Sequence, residues 1–113
     1  MIKNLALIVL MTVSGYVFAG ASSGNGTISQ LYVNARGTIV RVHFSAPIVN
    51  PDGCQKAEFY MLELDDSNSS SRYVAALLSA YTAEKTVQFW ISGCTTGQYW
   101  GGTRPKLHDI YLK

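Results

Sequence analysis

From residue 28 onward the chain alternates apolar and polar positions in short runs divided by turn residues. Over residues 28–37, Leu31, Val33 and Ala35 alternate with Gln30, Tyr32 and Asn34, a period of two that predicts a strand with one face on a core and one in water. Arg36-Gly37 offers a turn. Over residues 38–47, Val40, Val42 and Phe44 alternate with Arg41 and His43, so the two segments predict a hairpin. Pro47 and the run Asn50-Pro51-Asp52-Gly53 end it with strong turn chemistry. A third strand is predicted over residues 56–66, with Tyr60, Leu62 and Leu64 on one face and Phe59, Met61 and Glu63 on the other. The polar stretch 65–71 ends in serines, whose hydroxyls can cap a helix. Val74, Leu77, Leu78 and Tyr81 then recur at i, i+3, i+4 and i+7, which predicts a helix over residues 72–85. Residues 86–94 form a fourth strand with Val87, Phe89 and Ile91 inward and Gln88, Trp90 and Ser92 outward, and residues 105–113 form a fifth.

The order β-β-β-α-β-β predicts a mainly β domain with one helix, an OB-like five-stranded small barrel; an antiparallel α+β sandwich is the alternative. This single domain spans residues 28–113. Residues 20–27, GASSGNGT, carry little to bury and predict a flexible leader. Before it, Lys3, the apolar run from Leu5 to Val13 and the small residues Val17 and Ala19 have the form of a secretory signal peptide over residues 1–19. Ala19 and Ala21 offer a second cleavage pair. The apolar run is too short to span a bilayer, so the expected product is a secreted or periplasmic chain with no membrane span.

Export changes how the rest is read. Without Lys3, eight cations face seven anions, a net charge of +1, and the cations are scattered singly from Arg36 to Lys113. Nucleic-acid binding, which needs clustered positive charge, is disfavoured. The two cysteines, Cys54 and Cys94, form an even pair, which in an exported chain reads as a disulfide. Closing a loop of that length is worth roughly 4 kcal/mol by chain entropy, a large share of the stability of a small domain.

Candidate chemistry is sparse. His43 and His108 lie on different predicted strands without ligands at metal spacing, and the neighbours His108 and Asp109 should point to opposite faces of a strand. No nucleophile signature is present, and Asp65-Asp66 reads as a solvated pair at a helix start. The glycine-rich TGQYWGGT lacks the lysine and following helix of a phosphate loop. No catalytic residue, metal or cofactor is expected. What remains is GCTTGQYWGGTRP, residues 93–105, which puts Tyr99 and Trp100 on a loop among glycines and threonines. With Trp90 and Phe59 on outward strand positions, these make a candidate aromatic patch. Flat aromatic faces stack on sugar rings, Thr95, Thr96 and Gln98 can bond sugar hydroxyls, and Arg104 can pair with an acidic group. The alternative is structural: Trp100 folds back as a lid over the end of the barrel.

The stretch SSSRYVAALLSAYTAEKTVQFWISGC, residues 69–94, resembles the corresponding part of the B subunits of pertussis-like toxins, of the subtilase and typhoid toxin type. The resemblance implies an OB fold, a ring of identical chains and binding to cell-surface glycans. One cysteine before the third strand and one after the fourth is similar to small secreted proteins of Gram-negative bacteria whose roles are uncharacterised. The expected function is therefore a secreted glycan-binding protein of the toxin-B-subunit type, with a homo-oligomer as its form. The alternative is a periplasmic module that binds a protein partner, of the inhibitor or immunity type.

Overall fold

A computed structural model describes residues 20–113, and the signal peptide expected over residues 1–19 lies outside the described residues. The elements run β1 (Ala21–Gly26), β2 (Ile28–Val33), β3 (Ile39–Phe44), β4 (Tyr60–Glu63), α1 (Asn68–Thr82), β5 (Val87–Cys94) and β6 (Pro105–Leu112). Among the described residues the class is mainly β with one helix, as expected. The five-stranded barrel is corrected: these residues form six strands in one mixed sheet, ordered β1-β5-β6-β4-β3-β2, with β1 and β2 at its two edges. β4 and β6 run parallel through the Met61–Lys106 rung, and the other neighbours are antiparallel. Thr27 alone separates β1 from β2, so the sheet coils until its opposite edges meet at one residue.

The additional strand comes from the segment expected to be a flexible leader. Its small residues are what allow it to pair. A Cβ on Gly20 would stand 2.5 Å from Trp90 Nε1, and one on Gly26 would stand 2.7 Å from the Phe44 ring. The buried Ser23 hydroxyl accepts the Phe89 N–H at 2.8 Å, and Gln88 Nε2 donates to Ser22 Oγ at 2.6 Å. Polar composition reads as disorder when no apolar face is visible, but here the strand supplies backbone and hydroxyls to β5 and leaves room for that strand's aromatic side chain.

Alternation otherwise delivers the core. Val40, Val42 and Phe44 of β3, Val87, Phe89 and Ile91 of β5 and Leu107 of β6 are buried with Leu77 and Ala80 of α1. Phe44 and Phe89 meet edge-on at 5.2 Å between centroids. Each such side chain contributes about 1.5–3 kcal/mol by leaving water. In β4 both faces are buried, Tyr60 and Leu62 in the core and Met61, with Phe59 just before the strand, behind it, because the outer face is covered by residues described below. The helix starts earlier than predicted, because Ser67 caps it and accepts the Ser70 N–H at 3.2 Å. It ends at Thr82, followed by Glu84 at φ 52°. It also turns its stripe, burying Leu77 and Ala80 while Leu78 and Tyr81 face water.

Candidate functional site

The loop between β5 and β6 is pinned at its base. Cys54 and Cys94 form the expected disulfide, with 5.6 Å between Cα atoms. Asn50 brackets Cys54, accepting its N–H at 2.8 Å and donating to its carbonyl at 2.9 Å, and Gly93 N–H donates to Asp52 Oδ2 at 2.6 Å. Thr95 N–H reaches the Arg104 carbonyl at 2.9 Å, and Arg104 N–H returns to Thr95 Oγ1 at 3.0 Å. Thr103 is tied to Gln55 through two bonds, at 3.0 and 3.1 Å.

At the tip, Tyr99 N–H donates to the Gly102 carbonyl at 2.8 Å, and the two residues between have positive φ, 51° at Trp100 and 93° at Gly101. Two successive left-handed residues close the tip tightly, and the first such position normally carries asparagine or glycine. Here it carries tryptophan. Arg104 holds it there: Nε donates to the Tyr99 carbonyl at 2.9 Å and Nη2 to the Trp100 carbonyl at 2.7 Å. The guanidinium lies 4.2 Å from the Phe59 centroid, with Nη1 3.6 Å from Glu58. A planar fork meets these demands together where a lysine would not. Arg104 is 1% exposed, so the expectation that it meets a ligand's acidic group is corrected: its charge is spent inside the loop.

Glu63, at the end of β4, holds the other side. Its carboxylate accepts Thr96 N–H at 2.8 Å, the Thr96 hydroxyl at 2.7 Å, Gly97 N–H at 3.3 Å and the Tyr99 hydroxyl at 2.8 Å, and lies 3.8 Å from Lys106 Nζ. Burial pushes the carboxyl up, but these donors outweigh it and hold Glu63 below its ordinary range. Burial, then the bond and charge of Glu63, raise the Tyr99 hydroxyl. Three further candidates are therefore placed differently from the expectation. The hydroxyls of Tyr99 and Thr96 face inward to Glu63, while Thr95 is buried and its hydroxyl donates to the Gly97 carbonyl at 2.8 Å. Gln98 is exposed at the tip.

Trp100 is 47% exposed and seated on the outer face of β2 and β3. The Arg41 guanidinium lies 4.4 Å from its ring centroid, 5.0 Å from that of Tyr32 and 5.3 Å from that of Phe59. Tyr32 and Phe59 both meet Trp100 edge-on, at 5.5 and 5.6 Å. Three aromatic rings thus surround one cation. Phe59, expected on a wet face, is 4% exposed and lies between Arg104, Arg41 and His43. Burial, then the charge of Arg41, lowers the His43 pKa against the pull of Glu58, so the imidazole favours its neutral form. Arg41 Nε and His43 Nε2 are buried here without a hydrogen-bond partner. Trp90 pairs across β5 with Ser22 and Asp109 and takes no part in these ring contacts.

Tyr32, Arg41, Glu58 and Glu63 belong to this candidate site and were not revealed by the loop motif. The first two were accessible through the hairpin: a turn centred on Arg36-Gly37 sets Tyr32 opposite Arg41, the register observed. Two clefts lie apart from this face, one of about 340 Å³ beside Leu64, Ser70 and Val74 and one of about 680 Å³ beside Ile28, Tyr81 and Glu84. Neither gathers aromatic and cationic groups as the Trp100 face does. His108 Nδ1 and Asp109 Oδ1 are 3.3 Å apart, contrary to strict alternation, because Trp90 pairs with Asp109 and Ile91 with Leu107, leaving His108 as an extra residue in the ladder. Among the described residues no group of three histidine, cysteine or acidic side chains is placed to hold a metal ion, and no helix is long and apolar enough to cross a membrane. Compared with protein-family models, curated proteins and solved structures, the chain matches none.

Proposed function

We propose that this chain is an exported binding protein that holds a glycan against Trp100, in the manner of a toxin B subunit. The observation that carries the reading is Trp100 itself: a large aromatic ring placed at a turn position that disfavours it, clamped through its own carbonyl, and left half exposed over Arg41. A ring held in one orientation loses little freedom on contact, and its open surface suits the apolar side of a sugar. Gln98 offers an amide at the same tip, and Arg41 replaces Arg104 as the cation nearest the ring.

The coiled sheet supports an OB-type reading in which β1 and β2 are the two halves of one first strand. On that reading Arg41 and Phe59 lie at the strand 2–3 face and Trp100 on the loop joining the last two strands, the regions through which OB folds bind oligosaccharides. The disulfide accords with export to the periplasm or beyond. Leu78 and Tyr81 on α1, with Tyr111 and Leu112 on β6, leave apolar surface exposed, which supports a homo-oligomer; light scattering at micromolar concentration should then give a mass above one chain, and a single-chain mass throughout that range would remove the ring.

A glycan array probed with the mature protein tests the central reading. The expected result is binding to a defined set of sugars that Trp100→Ala weakens on the order of 30-fold, equivalent to about 2 kcal/mol, with the fold retained. Silence of the folded protein on the array, together with capture of a periplasmic protein through Trp100, would replace the glycan by a protein partner. A large loss of melting temperature in Trp100→Ala with unchanged binding per folded molecule would make Trp100 a structural lid.

A further inference from the structure

Gly20 lies against the Trp90 indole so closely that a Cβ built on it would stand 2.5 Å from Nε1, 2.7 Å from Cε2 and 2.9 Å from Cζ2. A residue with a side chain would have to displace the ring. Covalent geometry also bounds the neighbouring nitrogen: with backbone bonds of about 1.5 Å, Gly20 N is within roughly 5.5 Å of Nε1. In the precursor this nitrogen belongs to the Ala19–Gly20 peptide bond. Two bonds have small residues at the positions a signal peptidase reads, Ala19–Gly20 and Ala21–Ser22. The two differ in what they leave of β1. Ala21 pairs with Ile91 and Ser22 with Trp90, so cleavage after Ala21 would delete the first rung and uncover the indole. Cleavage after Ala19 keeps both and leaves a primary amine beside the ring.

We propose that Gly20 is the N-terminus of the mature protein and that its α-ammonium docks on the Trp90 indole as a cation–π pair. This rests on the export reading of residues 1–19. The step is a hydrolysis: the Ala19–Gly20 amide bond breaks, the hydroxyl of one water goes to the Ala19 carbonyl carbon, and a proton goes to the Gly20 nitrogen, which takes up another to become ammonium. Indole is the strongest aromatic partner for a cation. Trp90 is 38% exposed, so the amine sits at the water boundary with one preferred place. Of the ionisable residues of the adjoining β6, Lys106, His108, Asp109 and Tyr111, Asp109 stands directly across from Trp90 and His108 beside it.

N-terminal sequencing of the exported protein should read Gly-Ala-Ser-Ser. The Trp90 indole N–H resonance of 15N-labelled mature protein, assigned with Trp100→Phe and recorded in a His108→Gln background, should then titrate with a midpoint at least half a pH unit above the ordinary α-amino value of about 7.7–8.0. N-terminal acetylation should abolish that step. An exported chain that begins at Ser22 overturns the proposal and leaves the export reading standing. A chain that keeps residues 1–19 overturns both. A Gly20 terminus whose Trp90 resonance titrates alike with and without acetylation overturns the docking.

Discussion

Trp100 sits where a Cβ costs on the order of 1 kcal/mol, and this gives the side chain a measurable signature. Trp100→Ala loses the contacts with Arg41, Tyr32 and Phe59 but keeps the left-handed backbone at φ 51°. Trp100→Gly loses the same contacts and the backbone cost with them. In urea denaturation the glycine variant should be more stable than the alanine variant by about 1 kcal/mol, the reverse of their usual order; equal stabilities would show that the turn carries no strain. Glu63 has a signature in pH. Its carboxyl is held below the ordinary 4.5 in the folded protein, so its contribution to stability is present above that value and is lost as pH falls through the lowered one. Melting curves from pH 6 to pH 3 should show a decline that Glu63→Gln flattens, and an identical decline in both proteins would remove Glu63 as the loop's anchor. Asp65 is shifted in the same direction by the Ser67 and Ser70 bonds, so the difference between the two curves, not the wild-type curve, isolates Glu63. The Tyr32–Arg41 pair was legible in the sequence, because hairpin register follows from the turn. Arg104 was not, since its partners are backbone carbonyls, which any residue carries.

At the scale of elements, legibility followed burial. Strands with one face on the core alternate visibly, and β3 and β5 lie where alternation puts them. β4 is buried on both sides, so its outer Met61, with Phe59 just before the strand, reads as half of an alternating pattern, while Phe59 packs beneath Trp100 and Arg104. The helix was found by its period, but its buried stripe was misplaced toward Leu78 and Tyr81, because the period alone does not say which of two adjacent apolar rows meets the sheet. β1 left no apolar signal at all. Its contribution is fit and hydrogen bonding against β5, and composition alone reports neither. The disulfide was legible from the expected export and an even count.

For the whole molecule, the strand pair β1–β5 has a consequence for the order of folding. Ser23 and Phe89, joined by a buried bond, are 66 residues apart, whereas β2 meets β3 across a short turn. Closing the longer loop costs more chain entropy before any contact repays it, so the hairpin and the β5–β6 ladder form first and β1 is the last strand to zip on. On the export reading proposed above, β1 emerges ahead of the rest of the domain and then waits, unpaired, for a partner from the other end of it. Ser23→Ala, which removes the acceptor of the Phe89 N–H, should therefore leave the refolding rate nearly unchanged and speed unfolding about fivefold for each 1 kcal/mol it costs. Slowed refolding in that variant would place β1 in the folding nucleus instead.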